Sequence, residues 1–126
     1  MQAHELAERI GARVLTRAAA PSPLVGRVVA GDRMSDLIEA ATANTLLVTH
    51  LDSLQLLRAA GLMDVPVLCY VGGLNPCPET LVAAEAQGML VLVSPFGLYE
   101  TCGRLYQLLG GCTIQGSRPP APEPVR

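Results

Sequence analysis

An α/β fold with a mostly parallel sheet is predicted by three stretches of one design. Residues 45–49, 65–71 and 90–94 are short, apolar and rich in β-branched side chains, and each runs into a cap-like residue and a helical pattern. Strands that alternate with helices pair in parallel, and helices then cover both faces of the sheet. The architecture expected is therefore a three-layer α/β/α sandwich. The run 67–71 is almost wholly apolar, as a strand covered on both faces should be, and is expected at the centre of the sheet.

The elements follow in order. Ala3, Leu6, Ala7 and Ile10 recur at helical spacing, with Glu5, Glu8 and Arg9 opposite them, so 2–10 reads as a short surface helix. Residues 13–16 read as a short strand. Pro21 and Pro23 then oppose regular structure and mark 18–24 as a connector. A strand over 25–30 leads through Gly31, Asp32 and Arg33 to a helix with Ser35 as its cap and Leu37, Ile38 and Ala41 on its apolar face. After the strand 45–49, Asp52 stands three residues before Gln55, the spacing of a capping box, and the helix it opens is expected to close at Gly61.

Pro66 suits a strand start, where no ladder bond needs its missing N–H. Pro78 and Glu79 suit the first turn of a helix over 79–87, which Gly88 ends. Beyond the strand 90–93, Ser94 and Pro95 restart a helix whose Leu98, Cys102, Leu105 and Leu109 form one stripe, stopped by Gly110 and Gly111. Three parts result: an N-terminal helix, strand and connector over 1–24, an α/β domain over 25–114, and a Pro-rich tail over 115–126 expected to be disordered.

Composition removes several function classes. At 126 residues the chain has the size of one domain with a real core. Half the residues are hydrophobic, yet there are three Tyr, one Phe and no Trp, so Ala, Val and Leu must fill that core. The formal charge is −2, and the nine basic residues, all Arg, are scattered, which argues against nucleic acid as a partner. With no Lys, Schiff-base chemistry and the lysine of a phosphate-binding loop are excluded. Cys69, Cys77, Cys102 and Cys112 form no C-x-x-C pair and no zinc-like cluster with His, so no metal is expected and the thiols read as reduced, in the cytoplasm. No apolar run approaches a membrane span.

In open α/β sheets ligands sit where strands hand over to helices. The handover residues here are Thr49 and His50, Gly72 and Gly73 with Asn75, and Ser94, and these are the candidate ligand-binding residues. Thr49, Ser94 and Ser35 could cap helices, or the same N–H groups could hold a phosphate or carboxylate. Gly72 and Gly73 either admit a ligand close to the backbone or simply turn the chain. Cys77 sits in a loop at a helix start, where a thiol is more acidic. Arg104 and Tyr106 could close over a ligand or face a second subunit. No nucleophile, base and orienting group assemble from these positions, so no enzyme, catalytic residue or cofactor is expected.

From Gly31 to Tyr106 the order of features resembles a DRTGG domain, a module related to the N-terminal domain of HPr kinase/phosphorylase. The stretches that carry the resemblance are GDRMSDLIEAA, LLVTH, VLCYVGGLNPCPETLVAAEAQGMLVLVS and FGLYETCGRLYQL. The string that names the family is absent; Asp32-Arg33 and Gly72-Gly73 are its nearest fragments. The resemblance implies a regulatory or accessory module, since such domains occur joined to CBS nucleotide-sensing domains and free-standing near iron-only hydrogenases.

The function expected is thus non-catalytic binding of a small anionic ligand such as a nucleotide, because several helix N-termini should meet at one sheet edge. Self-association into a homo-oligomer, first a dimer, is expected from the apolar fraction of so short a chain. The alternative is a protein-protein adaptor of a larger redox or hydrogenase-associated complex, with no small-molecule ligand.

Overall fold

Every return from one parallel strand to the next passes through a helix. In the computed structural model, which describes residues 1–16 and 22–109, β2 (Arg27–Ala30) leads through α2 (Met34–Glu39) to β3 (Thr45–Thr49). Helix α3 (Leu54–Leu62) joins β3 to β4 (Val67–Tyr70), and α4 (Pro78–Ala86) joins β4 to β5 (Leu90–Val93). Before these come α1 (Ala3–Ile10) and β1 (Arg13–Val14), and after them α5 (Leu98–Leu109). The sheet order is β1-β5-β4-β3-β2. Strands β2 to β5 are parallel, and β1 is an antiparallel edge strand on β5.

Side-chain alternation sorts the helices into two layers. Leu47, Leu68, Tyr70, Val91 and Val93 point to one face and pack under α2, α3 and α4 through Leu37, Leu56, Leu57, Ala60 and Ala84. Leu46, Val48, Val67, Cys69, Leu90 and Leu92 point to the other and pack under α1 and α5, through Ala3, Leu6, Ala7, Ile10 and Leu105. Every residue of β3, β4 and β5 is buried. The three-layer sandwich and the central strand expected from the apolar runs are both present. The N-terminus is held along residues 23–25, where Ala3 donates to the Pro23 carbonyl and Val25 to that of Met1, each at 2.8 Å.

Three local expectations are corrected. Ser35 lies inside α2, whose N-cap is Arg33 without a side-chain cap bond. Gly61 does not close α3: the helix continues to Leu62, and a Cβ at Gly61 would overlap the Gln87 side chain. Ser94 and Pro95 do not enter a helix directly, since α5 begins at Leu98. The glycine stop at 110–111, Cys112, the 115–126 tail, Arg17 and the connector's residues 18–21 lie outside the described residues. Among the described residues no helix is long and apolar enough to cross a membrane.

The parallel ladder brings the C-terminal tips of β2, β3, β4 and β5 to one edge. Strand order does not reverse from β2 to β5, so this stretch lacks the crevice that a reversal opens in doubly wound sheets. The candidate site is therefore an edge platform.

Leu68 is fully buried between β3 and β5 beneath α3 and α4. Leu68→Ala should lower the unfolding free energy by about 2–5 kcal/mol, read from the urea midpoint at unchanged m-value. A loss under about 1 kcal/mol would contradict close packing on that face.

Candidate functional site

Register brings the handover residues side by side. Thr49 pairs with Tyr70 and Tyr70 with Val93, so His50, Val71 and Ser94 follow at one level. The ladder extends one step further: Val71 donates to the Thr49 carbonyl at 3.2 Å, Ser94 to that of Tyr70 at 2.8 Å, and Gly31 to that of Val48 at 3.0 Å.

The chain leaves β4 through a turn with Gly72 at φ +69° and Gly73 at φ +66°. Two consecutive positive φ angles are what a type I′ turn requires, and glycine takes them without the Cβ clash. Both glycine N–H groups point inward: Gly72 donates to the Phe96 carbonyl at 2.6 Å and Gly73 to that of Ser94 at 2.9 Å. The turn is thus tied to the loop after β5, and these two donors are not available to a ligand. The His50 ring lies against the turn, for a Cβ on Gly72 would sit 3.0 Å from His50 Nε2.

The six sequence-derived candidates divide by burial. His50, Gly72, Gly73 and Asn75 are exposed, whereas Thr49 and Ser94 are wholly buried. Thr49 Oγ1 accepts from the Leu51 N–H at 3.0 Å. Ser94 Oγ accepts from the Phe96 N–H at 3.2 Å and shares a 2.8 Å hydrogen bond with Thr101 Oγ1 on α5. These two hydroxyls support the loops from below, and neither caps a helix.

The N-termini of α3 and α4 are satisfied from within, whereas that of α2 has no side-chain cap. Ser53, not Asp52, caps α3, with its Oγ accepting from the Leu56 N–H at 3.1 Å. Asp52 reaches across to α4 instead, where Oδ2 accepts from the Cys77 N–H and Oδ1 from Thr80 Oγ1, both at 2.9 Å. A carboxylate already stands at the positive end of α4, so an anionic ligand would meet repulsion there. Anion contact at this edge falls to side chains: His50, and Arg33 at the entry to α2, whose only ion pair among the described residues is a well-exposed 3.9 Å contact with Asp36.

Beneath α3 and α4 the Tyr70 ring is buried and its hydroxyl has no hydrogen-bond partner among the described residues. Burial, then the Asp52 carboxylate and Cys77, push its pKa up from the ordinary 10.0. Burial first, then Cys102, push the Cys69 thiol up to about 12, against a lowering hydrogen bond with the Ser94 backbone. Burial also raises Cys102. Cys77, in contrast, is an exposed thiol at the α4 N-cap. Among the described residues no group of three or more His, Cys, Asp or Glu side chains could hold a metal ion.

Sequence reasoning missed Asp52 as a bridge between helices, and missed Phe96. The Phe96 carbonyl receives Gly72 and, at 3.3 Å, Thr101 Oγ1, while its ring lies 3.9 Å below the Arg104 guanidinium. Two cap-type residues in succession, Asp52 and Ser53, were the available signal for the first; Phe96 had none.

Two outcomes follow from this geometry. Asp52→Ala should cost about 0.5–2 kcal/mol by removing the cap of α4, and Asp52→Asn less, by urea unfolding. Stability should also fall above pH 9. Cys69 ordinarily ionises at 9.0 but in the fold only at about 12, so the folded state holds a proton that the unfolded state has lost. The contribution is intact below pH 9 and declines by about 1.4 kcal/mol per pH unit toward pH 12, with Tyr70 adding in the same direction. Cys102, also raised from 9.0 by burial, adds in the same direction. Urea midpoints between pH 8 and 11 should fall less steeply for Cys69→Ala; equal slopes would contradict the assignment.

No family model matches the chain, and no curated protein does. Among solved structures, the chain is similar to the CBS and DRTGG domains of the regulatory region of Clostridium perfringens pyrophosphatase, complexed with an activator, diadenosine tetraphosphate. The TM-score is 0.71 at 16% identity, with 84% of this chain and 46% of that one covered. The chain therefore spans under half the length of that neighbour, and what the two share is the fold. In fold, this chain is a DRTGG-like domain.

Proposed function

We propose that this chain is a non-catalytic regulatory module that binds a nucleotide in the cytoplasm. The ligand rests on the platform formed by His50, Gly72, Gly73 and Asn75. One observation carries the reading: parallel pairing gathers these four exposed positions on a single edge, with the imidazole of His50 laid against the side-chain-free surface of Gly72. A flat glycine turn gives a nucleobase or sugar close approach to the backbone, and His50 with Arg33 supplies donors for phosphate. The fold adds support, because the similar pyrophosphatase region is regulatory and was crystallised with a dinucleotide activator.

The non-catalytic part of the reading is supported by how the polar groups are used. Asp52, the acid nearest His50 in sequence, has both carboxylate oxygens engaged by α4. Among the described residues no carboxylate or hydroxyl hydrogen-bonds to His50, so no base is oriented there for proton transfer. Nothing in the fold or the comparisons favours the adaptor alternative.

Thermal-shift titration of the full chain with AMP, ADP, ATP and diadenosine tetraphosphate tests the proposal. At least one nucleotide at millimolar concentration should raise Tm, by mass action on the folded state. His50→Ala should weaken that response about tenfold, as loss of a charge-assisted hydrogen bond would, while leaving the ligand-free Tm in place. No shift with any of the four overturns the reading.

A further inference from the structure

At the start of α4 the donors outnumber the acceptors. Asp52 belongs to the loop between β3 and α3, and its two carboxylate oxygens take the Cys77 N–H and the Thr80 hydroxyl, each at 2.9 Å. Both donors lie in the first turn of a nine-residue helix whose N-cap, Cys77, provides no side-chain cap bond of its own. Thr80 is buried and Asp52 exposed, so a mobile acceptor comes from the solvent side onto donors fixed in the fold.

A third donor stands beneath this bridge. Tyr70 ends β4, packs on the face that α3 and α4 cover, and is wholly buried. Its hydroxyl has no hydrogen-bond partner among the described residues. The ionisable groups that act on that hydroxyl are Asp52 and Cys77, which sets it under the same end of α4. A buried hydroxyl left unpaired is costly, and phenylalanine would fill the same space without the cost. Such a group in a native fold is explained by what it meets in another state.

A carboxylate has one oxygen for each of the two upper donors and none for the third, whereas a tetrahedral phosphate group has enough for all of them. We propose that the start of α4 is a phosphate site plugged by Asp52, with the Cys77 N–H, Thr80 Oγ1 and Tyr70 Oη as its donors. The positive end of α4 favours the charge once the carboxylate is gone. While Asp52 is in place it repels a phosphate, and binding requires this exposed side chain to turn out into solvent. The affinity is then lowered by the fraction of time the plug is closed. Glu79, the other acid of this turn, is exposed and screened by solvent and salt. The phosphate is free or belongs to a nucleotide on the neighbouring platform, and the site does not depend on the platform being used.

Thermal-shift and calorimetric titrations of the full chain at constant ionic strength, with inorganic phosphate, AMP and adenosine as probes, test this. Phosphate at millimolar concentration should raise the wild-type Tm. Asp52→Ala should lower the ligand-free Tm yet bind phosphate about tenfold more tightly, and the milder Asp52→Asn should move both in the same directions. Tyr70→Phe should keep a ligand-free Tm no lower than that of the wild type and weaken phosphate binding about tenfold. A Tyr70→Phe chain that binds phosphate as the wild type does overturns the inference, as does an Asp52→Ala chain that binds it no better. So does a ligand-free Tm lowered by Tyr70→Phe, since a bound water would then already satisfy the hydroxyl. AMP binding tighter than phosphate, with the same response to both variants, assigns the phosphate to a nucleotide; equal binding of the two, with none of adenosine, assigns free phosphate and removes the platform reading alone. Nucleotide binding that neither variant alters leaves the platform standing and overturns the plugged site.

Discussion

Parallel pairing of β3, β4 and β5 is the constraint from which the other features follow. Parallel neighbours cannot be joined by a tight turn, so each return requires a crossover, and right-handed crossovers advancing in one direction place α2, α3 and α4 on the same face. The other face must then be covered by elements that are not crossovers. Only the two ends of the described chain are left for this, and α1 and α5 fill the role. Both faces being covered, the strands between them carry almost nothing but aliphatic side chains.

The same pairing determines what the edge can offer. Four strand tips arrive together, and their backbone and hydroxyl groups would be costly to leave unpaired at the margin of an apolar core. The loops meet that demand from within. The glycine turn is tied to the loop after β5, Thr49 and Ser94 hold the chain just beyond them, and Asp52 bridges from the start of α3 to the start of α4. What remains for solvent is a rigid floor with His50 and Asn75 on it. Recognition at such an edge depends on side chains laid over a fixed backbone, unlike a phosphate cradle built of free amides.

Much of this was legible in the residues. The apolar run at Thr45–Thr49 matches its strand to the residue, because an aliphatic, β-branched stretch between polar loops has few other solutions. The tip positions followed from topology, since a parallel sheet leaves no choice of edge. Caps were harder. Asp52 and Ser53 are both good capping residues, and sequence spacing favoured a box with Gln55, whereas Asp52 serves a helix whose N-cap, Cys77, lies 25 residues later. Gly61 illustrates the same ambiguity, since a glycine that ends a helix and one that lets Gln87 approach it are written with one letter. Nor could sequence separate Thr49 and Ser94 from the exposed candidates, because their burial depends on how far α3 and α5 close down over the strand ends.

Phe96 connects the edge to the outward face of α5. Its carbonyl receives the Gly72 N–H at 2.6 Å, and its ring lies 3.9 Å beneath the Arg104 guanidinium, which Glu100 holds at 2.9 Å. Gly11, at the end of α1, packs against the same ring, so the phenyl group is held from two sides. A change in the glycine turn would therefore be felt at Phe96, and through it at the charged pair on α5. Coupling between two sites requires contiguous contacts together with an element that has two arrangements. The contacts are in place over a path of four residues, Gly72, Phe96, Arg104 and Glu100. The path thus runs unbroken from the edge to the exposed charged pair on α5.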